Sequence, residues 1–139
     1  VDYGQRRVGL AVSDPMGIVA TAMRTVNVSS RRDALDAVIE ARGETEAQAV
    51  VVGLPLNMDG TCGPMAEAVK RFVDELKAEV GGVPVRTWDE RLSTSLVERS
   101  LIEADVGRRK RKASRDKLAA QVILQGFLDA QGGGVTGEC

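Results

Sequence analysis

The order of apolar and turn-forming segments predicts an α/β protein with a central mixed five-stranded sheet, in the order βββαβαβαα, with helices on both faces. Three observations carry this expectation. Val8, Leu10 and Val12 alternate with Gly9 and Ala11, and a turn and a second β-type run follow, so residues 1–26 read as an antiparallel three-strand meander. Ala49-Val50-Val51-Val52-Gly53 is short and wholly apolar, the mark of a strand buried on both faces. Stretches with apolar residues at helical spacing separate the later strands, which is the pattern of crossover connections.

Val1-Asp2 reads as the tail of a first strand, and because the chain opens on Val rather than Met, residues are expected before it. Asp14-Pro15-Met16-Gly17 is a turn by its chemistry, and Ile18 to Val26 is the third β segment. Ser30-Arg31-Arg32-Asp33 has the form of a capping box with Asp for the usual Glu, opening a helix that should run to about Gln48. Pro64 suits a first helical position, and Met65, Val69, Phe72, Val73 and Leu76 form its apolar stripe before Gly81-Gly82. Val83 to Trp88 is the fifth strand. A helix over about Ser95–Ala104, a basic loop over 105–113 and a last helix from about Ser114 to Ala130 complete the order. Residues 1–130 are expected to form one domain, and the Gly-rich 131–139 a disordered tail.

Composition excludes more than it selects. The 139 residues include no histidine, so a Ser-His-Asp triad, an imidazole base and a His-ligated zinc are all ruled out. Two cysteines, Cys62 and Cys139, cannot make a structural zinc site and argue against a disulfide framework, which leaves the cytosol as the expected compartment. No apolar run reaches the ~20 residues of a membrane span. The net charge of −1 conceals segregation: Arg108, Arg109, Lys110, Arg111, Lys112, Arg115 and Lys117 crowd around the lone Asp116. An acidic body with one basic stretch suits contact with a polyanion at one place. In most proteins such a run is only a solvated face.

Chemistry must then rest on carboxylates and bound ions. Asp2 lies at a strand end with Gly4 two residues on. Asp89 and Glu90 follow the fifth strand, and extended backbone sends neighbouring side chains to opposite sides, so one of the two should enter a site. Arg91 is placed to pair with one of them or with a substrate phosphate. Asp116 shares a helix face with Ala119, Ala120 and Ile123, where an acid needs a metal or a donor to compensate it. The plainer alternatives are a turn aspartate, solvated acids beside a helix, and a first-turn acid favoured by the helix dipole. Together, three remote acids would form an oxygen-only pocket suited to Mg²⁺ or Mn²⁺. Paired ions of this kind hydrolyse phosphodiesters without a side-chain base. The loop GLPLNMDGTCGP, residues 53–64, follows a buried strand where α/β proteins place ligand-binding loops, and the helix start near Pro64 could hold a phosphate.

The segments VDYGQRRVGLAVSD, VVGLPLNMDGTCGP, DERLST and DKLAAQVILQGFL, in that order, resemble the YqgF family, also called RuvX, the Holliday junction resolvases associated with maturation of the 16S ribosomal RNA precursor. The resemblance implies an RNase H-like fold and a metal-dependent endonuclease. On this sequence the family's acidic residues fall on Asp2, Glu90 and Asp116, which selects Glu90 over Asp89. Members of the family carry several more residues of first strand before the Val-Asp pair. Arg91 and the basic residues from Arg108 to Lys117 are the expected nucleic-acid contacts, with precursor rRNA or branched DNA as partner and a monomer or homodimer as the working form. Two other classes compete: nucleotide hydrolysis, since Asp2-Tyr3-Gly4 is similar to a phosphate loop of the actin and sugar kinase superfamily, and a non-catalytic RNA-binding or transcription-associated factor.

Overall fold

A computed structural model describes the backbone of residues 1–92 and 111–130, and side chains at 1–91 and 118–130. The expected helix over Ser95–Ala104, the residues Arg108, Arg109 and Lys110, and the tail 131–139 lie outside the described residues.

The meander forms as its alternation requires. β1 (Asp2–Tyr3), β2 (Arg7–Ser13) and β3 (Ala20–Asn27) are antiparallel, with Asp2 opposite Gly9 and Val8 opposite Val26. The turn between β2 and β3 is held by Asp14, whose Oδ1 accepts the amides of Ile18 at 2.7 Å and Val19 at 2.9 Å. Those two amides, Val19 first, hold its carboxyl below the usual carboxylate range. Gly17 takes φ +70° in that turn, where a side chain would be strained. β4 (Val50–Leu54) and β5 (Val85–Asp89) pair in parallel, with Gly53 opposite Trp88.

The strands make a three-stranded and a two-stranded sheet rather than one sheet of five. The two meet at Val1: its amino nitrogen donates to the Val51 carbonyl at 2.6 Å, and its carbonyl accepts the Gly53 amide at 3.0 Å. These bonds set β1 beside β4 without making a ladder between them. Beyond Val1 the edges of β2 and β4 diverge around a cavity of about 400 Å³, lined among others by Leu10, Val12, Met23, Ala49 and Val51.

α1 (Arg31–Thr45) starts as its capping sequence predicts, with Ser30 accepting the Asp33 amide at 3.1 Å. The return bond lands one residue early, because Asp33 Oδ2 takes the amide and hydroxyl of Ser29. The helix stops three residues before Gln48, where Glu46 turns left-handed at φ 54° and its amide caps the Arg42 carbonyl. α2 (Pro64–Glu79) has Pro at its first turn. α3 (Arg111–Asp129) includes Arg111, Lys112 and Ala113, which are therefore helical rather than part of a loop. Arg, Lys and Ala are good helix formers, and a run of charge does not by itself end a helix.

Helices cover both faces. Val8, Leu10, Val50, Val52, Leu54 and Val85 pack against α1 and α2 around Phe72 and Leu76, both fully buried. On the other face Val51 and Trp88 meet Ile123, Leu124 and Phe127 of α3, with Trp88 and Phe127 edge to face at 5.9 Å. The alternation in β2 holds for its first half, where Val8 and Leu10 enter the first core; a register shift between Leu10 and Ala11 interrupts it, and Val12 is not part of that core. Two glutamines, one turn apart, fasten α3 to the start of β3. Gln125 Oε1 accepts the Ala20 amide at 2.8 Å, and Gln121 Nε2 donates to the Ala20 carbonyl at 3.1 Å.

Cys62, in the loop before α2, is disulfide-bonded. A count of two cysteines excludes a framework of bridges but not a single one. Among the described residues no helix is long and apolar enough to cross a membrane.

Phe72 stacks on Tyr3 at 4.3 Å between ring centres and joins α2 to β1. Phe72→Ala should therefore lower unfolding stability by about 3–5 kcal/mol, measured by urea titration. A loss below about 1 kcal/mol would show that the core closes over the gap.

Candidate active site

Strand pleat decides which acids share a face. Tyr3 and its partner Val8 point into the core beneath α1 and α2. Asp2 and its partner Gly9 therefore face α3. In β4, Val50, Val52 and Leu54 enter the first core, so Val51 and Gly53 face α3. In β5, Trp88 faces α3, and the chain then enters a 3₁₀ turn, Glu90–Leu92. The Glu90 side chain lies back over Gly53: a Cβ placed on Gly53 would stand 2.6 Å from Glu90 Oε1 and 2.6 Å from Ile123 Cδ1. Gly53 is thus the floor on which a carboxylate and a helix both rest.

The structure brings Asp2 and Glu90 to one neighbourhood. Burial, the larger effect, lowers the Val1 amino group to about 6, while both the Asp2 and Glu90 carboxylates act in the opposite sense on it. Asp116 occupies a position on α3 four residues before Ala120 and seven before Ile123, both buried. Its register is that of the stripe turned to the sheet, and its side chain lies outside the described residues. Among the described residues no three acidic or thiol side chains gather in a metal-ligating group.

Asp89 and Glu90 are consecutive acids with opposite fates. Asp89 is 3% exposed and is gripped by Arg91, whose Nε lies 3.0 Å from each carboxylate oxygen and whose Nη2 lies 2.6 Å from Oδ2. The Arg91 amide adds a bond of 2.9 Å to Oδ1. Burial works to raise the Asp89 carboxyl, but the Arg91 side chain and amide outweigh it and hold it below the ordinary range. Arg91 therefore pairs with Asp89, one of the two acids that the sequence offers it besides a substrate phosphate. Its third direction is also used: Nη1 donates to the Met58 carbonyl at 3.1 Å. The sequence missed this link, as it missed Gln121 and Gln125. Two glutamines spaced i, i+4 on an otherwise amphipathic helix were the available signal.

The 54–63 loop is knitted by its own polar groups. The Asn57 amide donates to the Thr61 carbonyl at 2.9 Å, the Gly60 amide to the Asn57 carbonyl at 2.8 Å, and the Thr61 hydroxyl to Asp59 Oδ1 at 2.6 Å. Gly60 takes φ +87°, as the tight turn requires.

Asp2 on β1 and Glu90 just past β5 thus lie on the α3-covered side of an α/β protein, beside a knotted loop. Residues 1–130 match the family model described as RuvX, Holliday junction resolvase, and the chain belongs to that family. It is 50% identical over 131 residues to a protein of Listeria monocytogenes serovar 1/2a, covering 93% of this chain and 94% of that one. A Halothermothrix orenii protein is 44% identical over 94% of this chain and 93% of its own length. One from Myxococcus xanthus is 49% identical over 94% of this chain and 85% of its own. All three bear the name "Putative pre-16S rRNA nuclease".

Gly53→Ala should leave the fold intact, because the atoms it meets are the ends of flexible side chains, yet move Glu90 off its seat. The expected result is catalytic loss of about a hundredfold against a stability change of about 1–3 kcal/mol. Wild-type turnover in that variant would show that Glu90 needs no such seat.

A second test uses pH. The folded Asp89 carboxyl binds its proton less readily than the unfolded one, so its contribution is present above the unfolded value of ~3.9 and is lost as pH falls through the lower folded value. Asp89→Asn should cost about 1–3 kcal/mol at neutral pH. The gap from wild type should close in acid below that window, and a gap that does not change with pH would remove the ion pair as its cause.

Proposed function

We propose that this chain is a metal-dependent endonuclease of RNase H-like fold that hydrolyses phosphodiesters in structured nucleic acid, and that its substrate is the 5′ end of precursor 16S rRNA. The observation that carries the reading is the Glu90 carboxylate seated over Gly53, on the face and beside the strand that carry Asp2. The names borne by the relatives supply the substrate.

The donor set fits a hard divalent ion. Asp2 and Glu90 offer only oxygen, Asp89 is withdrawn by Arg91, and no histidine exists to favour a softer metal. Asp2, Glu90 and Asp116 would hold Mg²⁺ or Mn²⁺, which would supply activation of water and neutralisation of the leaving oxygen. The protein's own part is to hold carboxylates close together in spite of their repulsion and to cover them with α3. The basic residues Arg108, Arg109, Lys110, Arg111, Lys112, Arg115 and Lys117 would grip the sugar-phosphate backbone, which positions substrate without reading its sequence. Cytoplasmic placement follows from an rRNA substrate.

The family description favours a second substrate, the four-way DNA junction, which requires two sites and so a homodimer. One experiment serves both. The protein is incubated with Mn²⁺ and either a precursor rRNA fragment or a branched DNA, and the cut products are resolved. Glu90→Gln and Asp116→Asn should each abolish cleavage, by about a hundredfold or more, while binding is retained. Cleavage undiminished in both variants would reject the site. Binding without cleavage by the wild-type protein would make it a non-catalytic RNA-binding factor.

A further inference from the structure

The pairing of Arg91 with Asp89 has a use that neither charge alone explains. A buried aspartate beside a metal-ligating glutamate is a liability, since it competes for the same ion. Here three donors of Arg91 occupy both Asp89 oxygens. The outer Nη1 then reaches across to the Met58 carbonyl, and both Nη atoms lie under 4 Å from where a Gly60 Cβ would stand. The loop it touches is knitted through Asn57, Asp59 and Thr61, so a single anchor fixes it as a body. Asp59 adds attraction to the same guanidinium. That loop continues directly from β4, where Gly53 seats Glu90.

We propose that Arg91 is a positioning residue for the nuclease site: anchored on Asp89, it pins the 57–61 knot against the end of β5 and fixes the wall beside Glu90 before nucleic acid arrives. This rests on the nuclease reading and departs from the expectation that Arg91 is itself a phosphate contact. A guanidinium engaged in a bidentate pair and a carbonyl bond is committed to the protein, and Lys cannot reproduce that fork.

The test compares Arg91→Gln, Arg91→Lys and the double variant Asp89→Asn/Arg91→Gln with wild type. The double variant removes the buried charge along with its partner, so it folds even if the single variants do not. Amide exchange of Gly60 and Thr61 should rise about tenfold or more in all three variants, a readout that needs no substrate. Turnover per folded molecule should fall about ten- to a hundredfold with KM within about twofold, and Lys should not rescue it. A phosphate contact predicts the reverse: KM rises, the salt slope of binding falls by about one, and the knot's exchange is unchanged. That result would overturn the proposal, as would full turnover in the double variant. If the wild-type protein cuts nothing, the nuclease reading fails alone, and faster exchange still establishes the anchor.

Discussion

The constraint on which the site depends is the absence of a side chain at position 53. β4 lies between Val1 and β5 and carries branched residues at all four of its positions besides Gly53. Where it passes beneath α3 it has glycine, and into that space come both the tip of Ile123 and the carboxylate of Glu90. A helix crossing a sheet at ordinary side-chain distance would leave no room for an acid between them. Removing one Cβ lets the helix settle and leaves a recess of hydrogen-bonding backbone and charge. On the opposite face Leu54, Phe72 and Leu76 close into apolar packing.

Electrostatics around this recess follow from unequal treatment of like charges. Carboxylates at close range repel, and a protein gathers them only where each has a compensating partner. Asp89 receives an arginine, with its own backbone amide added, and is thereby taken out of competition. Glu90, in the 3₁₀ bend, instead lies over Gly53 beside Ile123 of the helix. The bend matters because an extended continuation would have given Glu90 the strand's pleat and nothing to direct it back over β4. Local geometry gives two chemically similar residues different surroundings, Arg91 for Asp89 and the Gly53 recess for Glu90.

Docking of α3 depends on polar as well as apolar contacts. Ile123 and Phe127 supply buried area, which is permissive about rotation and sliding. Gln121 and Gln125 instead bracket one residue, Ala20, through its amide and its carbonyl, and Gln125 also reaches the Ile18 carbonyl at 2.9 Å. Hydrogen bonds are directional, so this bracket sets the helix in one register. Asp116 lies on the same helix, and its height along the sheet is inherited from those bonds.

Period and turn chemistry made much of the fold legible in advance. The alternation of Val8, Gly9, Leu10 and Ala11, the apolar run of β4, the Ser30 cap and the Pro64 start all act over a few residues, where sequence and structure are nearly the same information. The one-sheet expectation failed because β1 meets β4 only through the Val1 bonds to Val51 and Gly53, and no ladder joins the two sheets among the described residues. At Arg111, Lys112 and Ala113 the charge that suggests a loop conceals good helix formers.

The sequence by itself determined the strands and helices, the absence of histidine chemistry and the acids from which a site could be drawn. Only the tertiary structure decided which acid Arg91 would neutralise, which would rest on Gly53, and that two glutamines would hold the covering helix. These choices join residues many positions apart in the chain, and their energies exist only once strands from different segments lie side by side. No local pattern encodes a distance between β4, β5 and α3.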